Sequence, residues 1–320
     1  LDLVVVGEWM PITVFRNTGA GRLERLVTPG LEQSHGWWNR IVAGDFTGDG
    51  RPDFVVGNLG LNTRLRATAD EPATMHVKDF DRNGFVEQIV SYYNQGVSYP
   101  LVLRDDLIKA LPFLKARFLK YEDYARKTAT DIFSTDELAD AVLMQAHTFS
   151  TTLVRNNGDG SFTLVPLPRE AQIAPVYGIL ASDFDRDGNL DLLLAGNFDG
   201  VKPEIGRLSA GYGLFLRGDG TGGFTPHRAS ESGFLVPGQA RDIQRIRTRR
   251  GDLYVVTRNN DRPLIFRAVR RSDVDEEPRV AMALADVRRD PLAHGDRGKR
   301  GYCVGRFVVM TMTPFAPRAP

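Results

Sequence analysis

The feature that most constrains this chain is a unit that recurs along it: an apolar run, a short acidic loop, and a second apolar run. It appears in full at residues 41–57, 75–90 and 179–196. Each copy reads as a β-hairpin with the acidic loop at its tip. Residues 2–7 match the closing half of the same unit and residues 252–256 match it again, which makes five units, two of them partial. A second, different hairpin signal, an apolar run followed by a Gly-rich turn, occurs at 14–21, 153–160 and 214–220. Two hairpins make four antiparallel strands, and a period of roughly 50 to 60 residues is the dimension of a propeller blade.

The expected fold is therefore all-β: a β-propeller of four-stranded blades over residues 1–268, about five units with the first truncated. Asp53 and Glu87 close successive acidic loops at short spacing. The blade of hairpin 41–57 is thus expected to have lost or shortened its outer strands, and hairpin 75–90 to pair with hairpin 153–160. Between those two hairpins, at 96–147, the strand period stops. Leu107, Leu111, Leu114, Phe118 and Tyr121 fall three or four apart, a helical spacing. Pro112 starts a new helical turn rather than sitting inside one, and Ser134 with Glu137 forms a capping box. This segment is expected to be a small helical insertion. From 269 to 320 neither signal recurs, and an irregular tail is expected. The chain opens on a strand already under way, so we expect the N-terminus to be a cut within a blade.

The acidic loops carry the one chemistry that the sequence spells out. In 183–191, Asp183, Asp185, Asp187 and Asp191 stand at positions 1, 3, 5 and 9, with Gly188 at the bend and the backbone carbonyl of Asn189 at position 7. Ca²⁺ takes six to eight hard oxygens, and alternating acids around a Gly turn bring them to one centre. The second loop offers Asp79, Asp81, Asn83, Glu87 and the Phe85 carbonyl; the first offers Asp45, Thr47, Asp49, Asp53 and the Arg51 carbonyl. Thr47 is the weakest of these ligands. An EF-hand requires a bidentate Glu at position 12, where this chain has Val56, Val90 and Leu194. The ligand set closes at position 9, as a hairpin tip demands. Metal-free turns also favour Asp, Asn and Gly, but they need no acid at every second position.

These loops, with the phrases Asn156-Asn157-Gly158-Asp159-Gly160-Ser161-Phe162 and Asp183-Phe184-Asp185-Arg186-Asp187-Gly188, resemble the FG-GAP or VCBS repeats of integrin-like propellers. The stretches 99–114, 175–178 and 258–261 are similar to the large secreted bacterial propeller proteins related to cartilage acidic protein. The resemblance implies a propeller, export from the cytoplasm and calcium on these loops. It implies no established activity.

Other signals point elsewhere and are weaker. Arg217-Gly218-Asp219 and Arg250-Gly251-Asp252 are RGD tripeptides, yet the first falls in a hairpin turn and the second leads into a recurring strand. His35, His76, His147, His227 and His294 lack the close spacing of a zinc site. Trp37, Trp38, Tyr92 and Tyr93 are read as split between the core and a neighbouring blade rather than as a sugar platform. Arg245, Arg247, Arg249 and Arg250 read as a solvated strand edge. With 41 Lys and Arg against 40 Asp and Glu, the net charge of +1 gives no field for nucleic acid. Cys303 stands alone, so neither a disulfide framework nor a Cys-based zinc site is possible within the chain. No apolar run reaches the ~20 residues of a membrane span, and no nucleophile elbow or phosphate loop is present.

The reading is an extracytoplasmic, calcium-binding, non-enzymatic module that presents loops to a protein or glycan ligand. The alternative is the propeller part of a secreted carbohydrate-active or other hydrolytic enzyme.

Overall fold

The computed structural model describes residues 2–202, 205–249, 251–270, 280–284 and 308–312. Among them, five four-stranded antiparallel sheets and one two-stranded ribbon form an all-β, propeller-like architecture. Four of the sheets are blades standing side by side.

Blade 1 joins β1 (Asp2–Val6), β3 (Thr13–Gly19), β4 (Arg22–Arg25) and the C-terminal β22 (Val308–Met312) in the order β22-β1-β3-β4. A short ribbon of β2 (Glu8–Met10) and β5 (Gly36–Trp37) follows. Blade 2 is β6 (Arg40–Gly44), β7 (Asp53–Gly57), β12 (Thr152–Asn156) and β13 (Phe162–Pro166). Blade 3 is β14 (Val176–Ser182), β15 (Asp191–Gly196), β16 (Leu214–Gly218) and β17 (Phe224–His227). Blade 4 is β18 (Ala240–Thr248), β19 (Gly251–Arg258), β20 (Leu264–Arg270) and β21 (Val280–Leu284).

The closing strands explain why the sequence reads there as unbroken apolar runs. Successive side chains of a strand point to opposite faces. In β7, Phe54 and Val56 pack with Val4, Val6 and Val14 of blade 1, whereas Val55 packs with Ile179, Leu192 and Leu194 of blade 3. In β15, Leu192 and Leu194 face blade 2, whereas Leu193 and Ala195 join Ile243, Tyr254 and Val256 of blade 4. A strand covered on both sides cannot alternate polar with apolar. In β1 every second residue is buried and the residues between are half-buried, and in β19 Tyr254 and Val256 are buried with Val255 half-buried between them, as suits blades packed on one face.

The fifth sheet does not belong to the row of blades. It is β8 (Ala73–Lys78), β9 (Glu87–Asn94), β10 (Val97–Pro100) and β11 (Val142–Ala146), in the order β10-β9-β8-β11. Its helices are α1 (Arg104–Ala110), a 3₁₀ turn that Pro112 opens, α2 (Tyr121–Tyr124), α3 (Ala129–Ile132) and α4 (Thr135–Leu138). Leu107, Leu111, Leu114 and Phe118 bury against Ile89 of β9, and Ser134 accepts the Glu137 N–H as the capping box predicts. All of this lies between β7 and β12, two adjacent strands of blade 2.

Three expectations are corrected by this arrangement. Hairpin 153–166 completes the blade of hairpin 41–57, which keeps its outer strands; Thr152 stands opposite Val56 and Val154 opposite Phe54. Hairpin 75–90 is part of the insertion, which therefore runs from about 58 to 151 rather than 96 to 147. Within the stretch expected to be an irregular tail, β21 pairs with β20 and β22 with β1, from Asp2 opposite Met312 to Val6 opposite Val308. The rest of the tail lies outside the described residues.

Candidate metal centres

Each loop tip is shaped by left-handed residues at positions 4 and 6. Position 6 is Gly50, Gly84 or Gly188, with φ of 79°, 90° and 93°; position 4 is Gly48, Arg82 or Arg186, with φ of 70°, 59° and 66°. The turn winds backbone N–H groups around the first carboxylate. Asp45 accepts from Asp49 and Gly50, Asp79 from Asn83 and Gly84, and Asp183 from Arg186, Asp187 and Gly188, at 2.6–3.2 Å. Sequence reading had assigned a role to the glycine at position 6 and missed position 4, where Arg gives no signal of positive φ.

Two loops gather carboxylates. The oxygens of Asp79, Asp81 and Glu87 lie within 4.8 Å of one another, as do those of Asp183, Asp185 and Asp187. The first loop brings no such trio together among the described residues. There Thr47 donates its hydroxyl to Asp53 (3.0 Å), and the Arg51 guanidinium is paired with Asp49. Asn83 lies in its cluster's turn, donating to Asp81 at 3.0 Å and accepting from the Phe85 N–H at 2.8 Å.

The acid at position 9 plays a different part from the one expected. Asp53 and Asp191 are both fully buried. One oxygen accepts the N–H of the loop's second residue, Phe46 at 3.2 Å or Phe184 at 2.9 Å. The other accepts an N–H from the third strand, Asn156 at 2.8 Å or Gly218 at 3.0 Å. Asp2 does the same for Asn17 at 2.9 Å. These carboxylates pin the inner hairpin to the outer one in three blades, and Asp191 stands outside the trio of its own loop. Glu87, which bonds Phe80 N–H at 3.0 Å, remains within its trio. Burial pushes the Asp191 carboxyl up to about 6, against the lowering effect of its two N–H partners, and raises Asp53 as well. The Asn189 N–H holds Asp187 below the usual carboxylate range.

The first RGD tripeptide is fully used by this packing. Arg217 pairs with Asp185 and Asp187, and Asp219 accepts from Thr221 and Gly223 of its own turn. A Cβ on Gly218 would lie 2.1 Å from the Leu190 carbonyl oxygen. Arg250 of the second tripeptide lies outside the described residues. Among the histidines, His35 and His147 meet with ring centroids 5.0 Å apart, a contact that their 112-residue separation hid; His294 lies outside the described residues. Trp38 is buried in the core shared by blades 1 and 2, whereas Trp37 and Tyr92 pack where the insertion docks, beside Trp9 and Phe149. Arg245 lies 3.9 Å from Asp252 on its exposed strand.

The FG-GAP-like repeat pattern matches residues 1–56. That span holds β1, β3 and β4 of blade 1 and the first acidic hairpin, so the chain carries an FG-GAP-like repeat at the junction of its first two blades. No curated protein matches the chain. Beside the first loop, Thr47, Asp49, Arg51, Arg155, Asn157 and Thr221 line an open cleft of about 400 Å³ between blades 2 and 3. Among the described residues no helix is long and apolar enough to cross a membrane.

Proposed function

We propose that this chain is an extracytoplasmic, calcium-binding propeller module that holds a protein or glycan ligand and performs no catalysis. One observation carries the calcium reading: two separate loops bring three carboxylates each to one point on turns of the same left-handed pattern. Oxygen-only donor sets of this charge suit a hard divalent cation. Asp79, Asp81 and Glu87 with Asn83 would hold the ion at the second loop, and Asp183, Asp185 and Asp187 at the third. Bound calcium would supply rigidity, since it neutralises acids that repel one another.

Export is supported by the resemblance to FG-GAP and VCBS propellers of secreted proteins, including those related to cartilage acidic protein. Millimolar calcium outside the cell suits loop sites with dissociation constants of about 0.1–1 mM. The cleft by the first loop, lined by hydroxyl, amide and guanidinium groups and the Asp49 carboxylate, fits the polar groups of a glycan or a peptide. Thermal melting with calcium and with chelator tests the metal reading. A native-state ligand at a hundredfold its Kd adds about 2.7 kcal/mol per site, so calcium should raise the midpoint by several degrees. Identical midpoints would sink it. A glycan array probed with the native chain and with Arg155→Ala tests the cleft.

A further inference from the structure

The three loops differ in one respect that their sequences conceal: which of them already holds a cation. In the third loop the Arg217 Nε lies 2.7 Å from Asp185 Oδ2 and its Nη2 lies 3.1 Å from Asp187 Oδ2. The Oδ1 atoms of the same two residues accept the N–H groups of Asp187 and Asn189 at 3.1 and 2.8 Å. Arg217 therefore occupies the two oxygens that the loop's own backbone leaves over. The Asp185 side chain is only 2% exposed, and a buried carboxylate requires a partner.

We propose that Arg217 is the resident counter-ion of the third loop, and that calcium and this guanidinium compete for Asp185 and Asp187. The inference rests on the calcium reading above. Register delivers the competitor: Leu216 stands opposite Leu192, which carries Arg217 to the level of Asp191 and the loop. Blade 2 delivers Arg155 in the same way, beyond Val154 opposite Phe54, but Thr47 stands where the third loop has Asp185, and Asp49, the counterpart of Asp187, is already paired with Arg51. In the insertion the third strand ends with Pro100 opposite Ser91, four residues short of Glu87. That strand therefore brings no arginine to the second loop, and among the described residues none of Asp79, Asp81 and Glu87 forms an ion pair.

The loops accordingly load in order. The second takes calcium with nothing to displace, the third only by expelling Arg217, and the first carries Arg51 on Asp49. Expulsion of Arg217 acts on the hairpin of β16 and β17, whose turn holds Thr221, one wall of the polar cleft. A Cβ on Gly48 of the first loop would lie 2.8 Å from the Gly220 carbonyl oxygen of that turn, so the hairpin is in close contact with its neighbour blade.

Calorimetric titration of the full chain with calcium alone tests this, in an Asp79→Asn, Asp81→Asn background that silences the second loop, and in the native background. Displacing the partly exposed Arg217 costs about what one charge-assisted hydrogen bond is worth, about 1.5–3 kcal/mol in all, so Arg217→Gln should tighten the third loop's calcium binding roughly ten- to a hundredfold. Arg217→Lys keeps the charge but loses the two-pronged contact, and should fall between. In chelator Arg217→Gln should melt below the native protein, and calcium should shift it further upward. Unchanged or weaker third-loop binding in both variants would overturn the competition, while heat from the second loop in the native chain would leave the calcium reading standing. No calcium heat at either loop in any variant would remove both. Arg217→Lys, with its fold verified by circular dichroism, decides the matter if Arg217→Gln does not fold.

Discussion

Asp53 accepts a 2.8 Å hydrogen bond from the backbone N–H of Asn156, a residue 103 positions further along the chain. Through that bond the first acidic hairpin and the hairpin 152–166 become one blade, with the whole insertion looped out between them. Asp191 and Gly218 make the same bond across 27 residues in blade 3, where nothing is inserted. The blade is therefore a local device that tolerates a long excursion, because loop-closure entropy grows only with the logarithm of length.

Asp53→Asn should destabilise the protein strongly. The amide retains one acceptor oxygen where the carboxylate offers two to the N–H groups of Phe46 and Asn156 and to the Thr47 hydroxyl. Each buried N–H left without a partner costs about 1–3 kcal/mol, so a total loss of about 2–4 kcal/mol is expected. Urea unfolding would measure it; a loss under 1 kcal/mol would contradict the pinning role.

The stem of the insertion should depend on Asn58. Its side chain is fully buried, accepts from the N–H groups of Trp37 and Leu59, and donates to the carbonyls of Thr148 and Ser150. Asn58→Ala should speed hydrogen exchange at residues 58–61 and 147–151 while the strands of blades 3 and 4 stay protected. Uniform deprotection would mean that Asn58 supports the global fold instead.

Excising residues 61–148 and joining Gly60 to Phe149, which already share a 2.8 Å backbone hydrogen bond, should leave the four blades folded. The excision uncovers Trp9 and Trp37, so tryptophan emission should shift to the red. Loss of the sheet signal by circular dichroism would place the insertion in the core of the fold.

His35 and His76 should weaken the protein as the pH falls below about 6.5, the unperturbed histidine value, against the opposite contribution of Asp191, whose carboxyl is raised to about 6. Burial holds His35 and His76 below that value, with His147 and Arg25 adding to the effect at His35. A base whose folded value is depressed takes up protons more readily when unfolded, so stability rises with pH through this window. Its contribution is complete above about 6.5 and is lost as the pH falls toward the folded values. The double variant His35→Gln, His76→Gln should show a flatter dependence of melting temperature between about pH 5 and 7. An unchanged slope would assign the acid sensitivity to other groups.

The recurring hairpins and their acidic loops were legible in the sequence, because those depend on nearest neighbours along the chain. The alternation of acids with a glycine at position 6 specifies a turn wherever it occurs, and apolar runs such as 192–195 specify strands covered on both faces. The capping box at Ser134 and the new turn at Pro112 were legible for the same reason. Tertiary structure alone decided which hairpins share a blade. Hairpins 41–57 and 75–90 carry the same pattern, and only the strand that docks beside each, β12 or β10, makes one a blade and the other part of the insertion. It also separated the acids by role, since Asp185 and Asp191 look alike in the loop. A backbone N–H from the next strand claims Asp191, and a guanidinium from that same strand claims Asp185. Those partners arrive through strand register across a sheet, and strand register cannot be read from spacing along one loop.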